Sequence, residues 1–333
     1  MTYWRPIPMT DPARHPEALP LAGGWCWFDR VERLSRSEPP AIMPLPEVPP
    51  EVLDRLASPR APIAGLSWER PRLMGILNVT PDSFSDGGLF DAPDSALAQA
   101  RAMEAEGADL LDLGGESTRP GARQVPPEEE IARVVPVLGA IRRHSPITLS
   151  VDTRKAAVAE AALAAGAEIV NDVSALHFDP GMARVAARAP GLCIMHAQGS
   201  PETMQLDPRY DDVVLDVYDM LEERVAAAES QGIPRGRILV DPGIGFGKTL
   251  QHNVSLLRRL SLYHALGCAI LLGASRKGFV GVLGGAREAR DRMPGSVSVA
   301  LHAARQGVQV LRVHDVGETR QALSLQESVS GTV

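Results

Sequence analysis

The chain has 333 residues, with 34 Lys and Arg against 41 Asp and Glu for a formal net charge of -7, and 44% of it is hydrophobic. That acidic balance excludes a general nucleic-acid surface, so basic residues that hold phosphate must be gathered locally. No segment approaches the roughly 20 apolar residues of a membrane span, and the proline-rich start lacks a signal-peptide profile, which predicts a soluble, cytoplasmic protein with no membrane partner.

The first 71 residues hold 14 of the 28 prolines and all four tryptophans, Trp4, Trp25, Trp27 and Trp68. They differ in kind from the rest of the chain, so residues 1–70 are expected to be an extension packed on the main domain. Residues 19–31 are predicted to form a short hairpin about Gly23 and Gly24, with Trp25 and Trp27 on one face by alternation. Cys26 between two tryptophans, and Cys193 and Cys268 inside apolar runs, are too few and too scattered for a disulfide framework. They are read as reduced core residues.

From residue 72 one pattern repeats: an apolar strand, a polar residue at its end, a loop, then an amphipathic stretch rich in Ala, Glu and Arg. Strands are predicted near 73–77, 108–113, 147–151, 167–170, 191–195, 237–240, 268–273 and 308–313. Helices come after them, for example over 95–106, 127–143, 154–165 and 211–231. Eight strands alternating with helices imply an α/β fold, a parallel (β/α)8 TIM barrel over residues 71–328, leaving 329–333 as a tail. In chain order the strand ends carry Asn78, Asp112, Asp152, Asn171, His196, Asp241, Ser275, and Arg312 with His314. A doubly wound sheet would gather such groups at one switch point, whereas one from every strand suits a closed barrel converging on its C-terminal mouth.

Asp152, Asn171 and Asp241 allow a planar nitrogen heterocycle as ligand, because carboxylates and an amide accept its N–H groups in pairs and reject rings that lack them. Structural hydrogen bonds at strand ends would look the same. Residues 115–121 (GESTRPG) place the hydroxyls of Ser117 and Thr118 and the fork of Arg119 over the mouth, in reach of phosphate or carboxylate. The glycine-rich run 243–247 matches neither common phosphate loop: Pro242 stands where a Walker loop ending at Lys248 needs glycine, and the dinucleotide fingerprint needs another spacing. Neither ATP nor NAD is implied. Lys248 reads instead as a loop anchor or helix-entry residue, and His196 as a core histidine as readily as a ligand. Arg312 and His314, two apart on a strand, point the same way and are placed to grip a diphosphate together.

The run 78–88, NVTPDSFSDGG, resembles the opening signature of the dihydropteroate synthase family, the folate-pathway enzymes that sulfonamides inhibit. GESTRPG is similar to that family's second mobile loop. SVDT (150–153), VNDV (170–173) and VDPGIGFGK (240–248) resemble its pterin-binding segments, and ASRKG (274–278) and LRVHD (311–315) its cationic rim. The resemblance covers about residues 71–325. Ala197 departs from it where a second methionine is common, and the extension has no counterpart in the shortest members.

The resemblance implies pterin binding by Asp152, Asn171, Met195, Asp241 and Lys277, and diphosphate binding by Asn78, Thr118, Arg119, Arg312 and His314. It places 4-aminobenzoate against Ser117, Thr118, Pro120, Phe246 and Ser275, Mg2+ in part on Asn78, and catalysis on Asp112, Lys277, Arg312 and His314. The family reaction joins 4-aminobenzoate to hydroxymethyl-dihydropterin diphosphate. An arylamine is nucleophilic at neutral pH, so the sequence needs no Ser-His-Asp or Cys-His apparatus, and none is found. The burden falls on the departing diphosphate. Both loops are expected to close over the site and exclude water. A homodimer through residues 294–305 and 317–325 is implied too. Two other readings remain: a methyltetrahydrofolate methyltransferase, which shares the pterin-binding barrel but needs no diphosphate segments, and a non-catalytic pterin-binding paralogue acting through its extension.

Overall fold

The computed structural model describes residues 1–79, 88–117, 124–199 and 203–331. In the extension, β1 (Thr2–Pro6), β4 (Arg30–Ser35) and β5 (Ala41–Pro44) form an antiparallel sheet with β4 in the middle. Two-residue strands β2 (Leu19–Pro20) and β3 (Trp27–Phe28) pair separately, and helix α1 (Pro50–Ala57) comes next. Pro50 opens α1, where the first turn leaves N–H groups unpaired and proline loses nothing. The expected 19–31 hairpin is therefore only two residue pairs long. Its indoles also part company: Trp25 Nε1 donates to the Ala304 carbonyl at 2.9 Å and Trp27 Nε1 to the Asp11 carbonyl at 2.9 Å. Each indole N–H taken out of water needs an acceptor, and that need outweighs simple alternation.

The extension docks through both apolar and polar contacts. Tyr3, Phe28, Val31 and Leu34 belong to the same apolar core as the outer layer of the main domain. Tyr3 donates to Asp219 at 2.9 Å and meets Tyr218 edge-on at 5.4 Å between ring centroids. Glu32 pairs with Arg5 at 2.5 Å and Arg259 at 3.4 Å.

The main domain alternates strand and helix: β6 (Arg72–Asn78), α2 (Gly88–Ala105), β7 (Leu110–Gly114), α3 (Pro127–Arg142), β8 (Thr148–Asp152), α4 (Ala156–Ala164), β9 (Ile169–Asp172) and α5 (Met182–Ala186). It continues with β10 (Gly191–Met195), α6 (Val213–Ser230), β11 (Ile238–Asp241), α7 (Leu250–Arg258), β12 (Ala269–Gly273), α8 (Gly278–Gly284), α9 (Met293–Arg305), β13 (Val310–Val313) and α10 (Val316–Ser330). The eight strands β6 to β13 pair in parallel and close, β13 on β6 with Val310 opposite Arg72. This is a (β/α)8 barrel.

Side chains two apart on a strand share a face, and that period builds the interior in layers. Met74, Leu110, Ile169, Cys193, Leu239, Leu271 and Val310 form an apolar floor, closed from below by Ile63 and Trp68 of the extension. Two positions further along the same strands stand Ile76, Asp112, Asn171, Met195, Asp241, Gly273 and Arg312. The floor excludes water and the layer above it carries the polar groups.

Three strands begin two residues later than the apolar runs suggest, at β7, β9 and β13. Before each, a glycine in the left-handed region (Gly107, Gly166, Gly307) ends the helix. The next residue then returns its N–H to that helix: Ala108 to Met103 at 2.9 Å, Ala167 to Ala162 at 3.0 Å, Val308 to Ala303 at 3.1 Å. This is the Schellman closure, which uses an apolar residue just past the glycine as part of the cap.

Candidate active site

At the C-terminal mouth the inward layer becomes a hydrogen-bonded network. Asp112, fully buried at the middle of β7, accepts from Ser150 Oγ at 2.6 Å on one oxygen. Its other oxygen takes Asn171 Nδ2 at 3.0 Å and Arg312 Nε at 2.6 Å. Arg312 Nη2 reaches Asp152 Oδ2 at 3.0 Å, so one guanidinium bridges two carboxylates from neighbouring strands. Nη1 of Arg312 has no partner among the described residues, and Asp152 Oδ1 is buried without one. An unpaired buried acceptor in this network is open to a donor that arrives with a ligand or a water.

Asp241 joins this group across Gly273. A Cβ built on that glycine would lie 3.7 Å from Asp241 Oδ2 and 3.8 Å from Arg312 Cδ, so the missing side chain lets the two approach. The other Asp241 oxygen accepts from the Gly243 N–H at 2.7 Å. Met195, opposite Asp241 in the ladder, packs beside Gly243. Asn78 ends β6, and its Oδ1 faces Gly114 together with Asp152.

Lys277 arches over the other side. Its Nζ donates to the Ile244 carbonyl and stands 4.4 Å from the centroid of the Phe246 ring, a cation–π contact. Its neighbour Arg276 sits in the left-handed region at φ 56°. Three contacts hold it there: the Asp315 carboxylate, Ser296 Oγ accepting from its N–H at 2.8 Å, and Arg292 donating to its carbonyl at 3.0 Å. Ser275 bonds His314, Oγ to Nδ1 at 3.0 Å. Arg312 bonds the carboxylates while His314 meets Ser275.

Burial sets the protonation equilibria. It raises Asp152 to about 7, against the pull of Arg312 and with the push of Asp112. Asp241 is raised for the same reason, offset by Lys277. Lys277 is lowered to about 8 by burial, with Asp241 opposing. For Arg312, burial works against the charge but Asp112 and Asp152 outweigh it and the pKa rises. Carboxylates crowded into a dry mouth favour a ligand that brings N–H donors.

His196 is a core residue. Lys248 Nζ donates to its Nδ1 at 2.9 Å, and burial followed by the Lys248 charge lowers it to about 3. Lys248 also donates to the Phe246 carbonyl at 3.0 Å, so it anchors the 243–247 loop. Ser117 ends its described segment. Thr118, Arg119 and Pro120 lie outside the described residues, as does most of the run 78–88.

Several contributors were not singled out from sequence. Ser150 shares the inward face with Asp152, a signal the period of two carries. Glu116, clamped by Arg154 at 3.0 Å and by Lys155, which also binds the fully buried Glu130, carried no sequence signal beyond charge. Among the described residues no cluster of three or more His, Cys, Asp or Glu is placed to hold a metal ion.

Known proteins resemble this chain in sequence and fold. The pterin binding enzyme family matches residues 74–314. The dihydropteroate synthase of Neisseria meningitidis serogroup B is 47% identical over 271 residues, which cover 79% of this chain and 94% of that protein. A solved dihydropteroate synthase from Xanthomonas albilineans with 4-aminobenzoic acid superposes with a TM-score of 0.76 at 48% identity, covering 81% of this chain and 98% of that one. Another from the same organism, in complex with 7,8-dihydropteroate, gives 0.73 at 44% identity over 81% and 98% of the two chains.

Proposed function

The chain belongs to the pterin-binding enzyme family, among its dihydropteroate synthases, and from that premise we propose how its mouth performs the reaction. It condenses 6-hydroxymethyl-7,8-dihydropterin diphosphate with 4-aminobenzoate, giving 7,8-dihydropteroate and diphosphate in folate biosynthesis. The observation that carries the site assignment is the bridge of Arg312 to Asp112 and Asp152, with Asp152 Oδ1 left as an unmet acceptor.

The pterin's amide-like edge and exocyclic amine donate to Asp152 and Asp241, while the Asn171 amide, oriented by Asp112, meets the ring and Met195 packs on its face. Lys277 donates to the pterin carbonyl and ring nitrogen. The carbon–nitrogen bond forms at the pterin methylene as its bond to the diphosphate oxygen breaks, and a proton leaves the new amine. Carboxylates of Asp112, Asp152 and Asp241 favour positive charge building on the ring, while Arg312 and His314 face the departing anion. Phe246 and Ser275 flank the aminobenzoate.

Mg2+ takes oxygen ligands and keeps substrate phosphates and waters in its shell, so a site offering one neutral oxygen fits an ion delivered with the diphosphate. Asn78, whose Oδ1 lies beside Gly114 at the end of β7, would supply that oxygen. When bound, the ion supplies charge neutralisation at the leaving group. Three cysteines that are buried and free support a reducing, cytoplasmic setting. No described helix is long and apolar enough to cross a membrane. Exposed Leu325 and Val329 on α10 support a homodimer through that face. A coupled assay for dihydropteroate formation with both substrates and magnesium tests the reading. Turnover independent of Arg312 and Asp241 would refute the site.

A further inference from the structure

The barrel has a second concave feature, at the end opposite the mouth: a cavity of about 500 Å3 between the extension and the barrel base. That size lies within the range of roughly 300–1,000 Å3 usual for small-ligand sites. Arg55, Pro59 and Arg60 of the extension form one wall, and Glu222 on α6, Arg235 before β11 and Gly267 before β12 form the other. Two cations converge over Gly267, where a built Cβ would lie 3.4 Å from Arg235 Cδ and 3.5 Å from Arg55 Cγ.

The charges are unevenly answered. Arg235 is paired with Glu229 at 2.8 Å and Glu222 at 3.5 Å. Arg60 donates only to carbonyls, those of Arg55 and His264 at 2.9 Å, Ser58 at 3.0 Å and Cys268 at 3.3 Å. Carbonyls orient a guanidinium but bring no net charge, so Arg60 is a half-buried cation without a counter-ion, and desolvation with the nearby Arg55 lowers it to about 10. Arg55 makes no ion pair among the described residues. With Arg235 answered by Glu222 and Glu229, the guanidiniums of Arg55 and Arg60 are left unmatched in the lining of this cavity, on a chain whose net charge is -7.

We propose that the basal cavity binds a small phosphate-class dianion, balanced by Arg55 and Arg60 with Arg235 alongside. Two unanswered positive charges match a dianion, with the Arg55 fork meeting its oxygens and Arg60, whose nitrogens are held by carbonyls, adding its charge from behind. Arg55 and Arg60 precede the family match, which begins at residue 74, so the site is made by the extension docking on the barrel and is separate from the synthase mouth.

The test is isothermal titration of the full chain with inorganic phosphate at mildly alkaline pH and constant ionic strength, set against Arg55→Gln. Arg55 is exposed, makes no ion pair among the described residues and lies far from the mouth, so this variant should fold and turn over substrate like the parent. Expected are two classes of phosphate site in the parent, at the mouth and at the base, with the basal one weakened roughly tenfold or more in the variant. Phosphate should also raise the Tm of the parent more than that of the variant, relative to chloride at equal ionic strength. Indistinguishable isotherms for parent and variant would overturn the proposal, and equal basal binding of succinate would overturn the phosphate-class assignment.

Discussion

Arg312 Nε donates to Asp112 Oδ2 at 2.6 Å, joining β13 to β7 across the barrel interior over 200 residues of chain. Asp112 is fully buried, so removing the arginine alone leaves a charge with neither water nor cation. Arg312→Met should cost about 3–5 kcal/mol of stability. The double variant Arg312→Met/Asp112→Asn should recover much of that, because the amide still accepts from Ser150. Urea denaturation of both measures it, and equal losses would show that the pair is not energetically coupled. Turnover of the single variant should fall by about 10²–10³, the usual cost of a lost charge-stabilising donor.

The Asp152 carboxyl, lifted to about 7 by burial, makes stability depend on pH with a definite sign. A raised folded pKa means that the folded chain holds a proton the unfolded chain has released. Its contribution is complete below the ordinary carboxylate range and is lost as pH rises through about 7. Asp152→Asn should therefore lose less stability than the parent between about pH 4 and 7, followed by denaturation midpoints. Pterin affinity of the parent should run the other way, rising as Asp152 ionises through about 7, and the variant should lack that rise.

Gly243 cannot carry a side chain. Its φ is +68° and a Cβ would fall 1.8 Å from the His196 carbonyl oxygen, which is backbone and cannot step aside. Gly243→Ala should cost more than about 4 kcal/mol or prevent folding. Gly65, at φ +78° with nothing within 4 Å, is the control: Gly65→Ala should cost only about 1–2 kcal/mol, the left-handed penalty by itself. Similar Tm values for the two variants would contradict the steric account.

The proposed assignment divides the ligand between Asn78 and Asp241. Asn78→Ala should weaken diphosphate binding in the presence of magnesium while sparing a pterin without the diphosphate. Asp241→Ala should weaken the pterin itself. Titrating each variant with both ligands checks the division, and interchanged losses would reverse it.

Much of this was legible in the residues. The apolar runs and their polar ends located eight strands and the mouth, because a strand's period of two commits Asp112, Asn171, Asp241 and Arg312 to one face wherever the strand lies. Strand starts were less legible: Ala108, Ala167 and Val308 look like strand residues by composition but belong to helix caps, and only a hydrogen bond back to the helix tells the two apart. His196 was open between ligand and core until Lys248 was found against its Nδ1.

The chain by itself determined which side chains share a face and how the segments alternate, since these come from local periods and from motif wording. Only tertiary structure decided who meets whom. Closure of β13 on β6 sets the register that brings Arg312 to Asp112 and Asp152. It likewise took the docked extension to put Arg55 and Arg60 beside Arg235. Such contacts depend on the sum of many packing choices along some hundreds of residues, and no short window of sequence contains that sum.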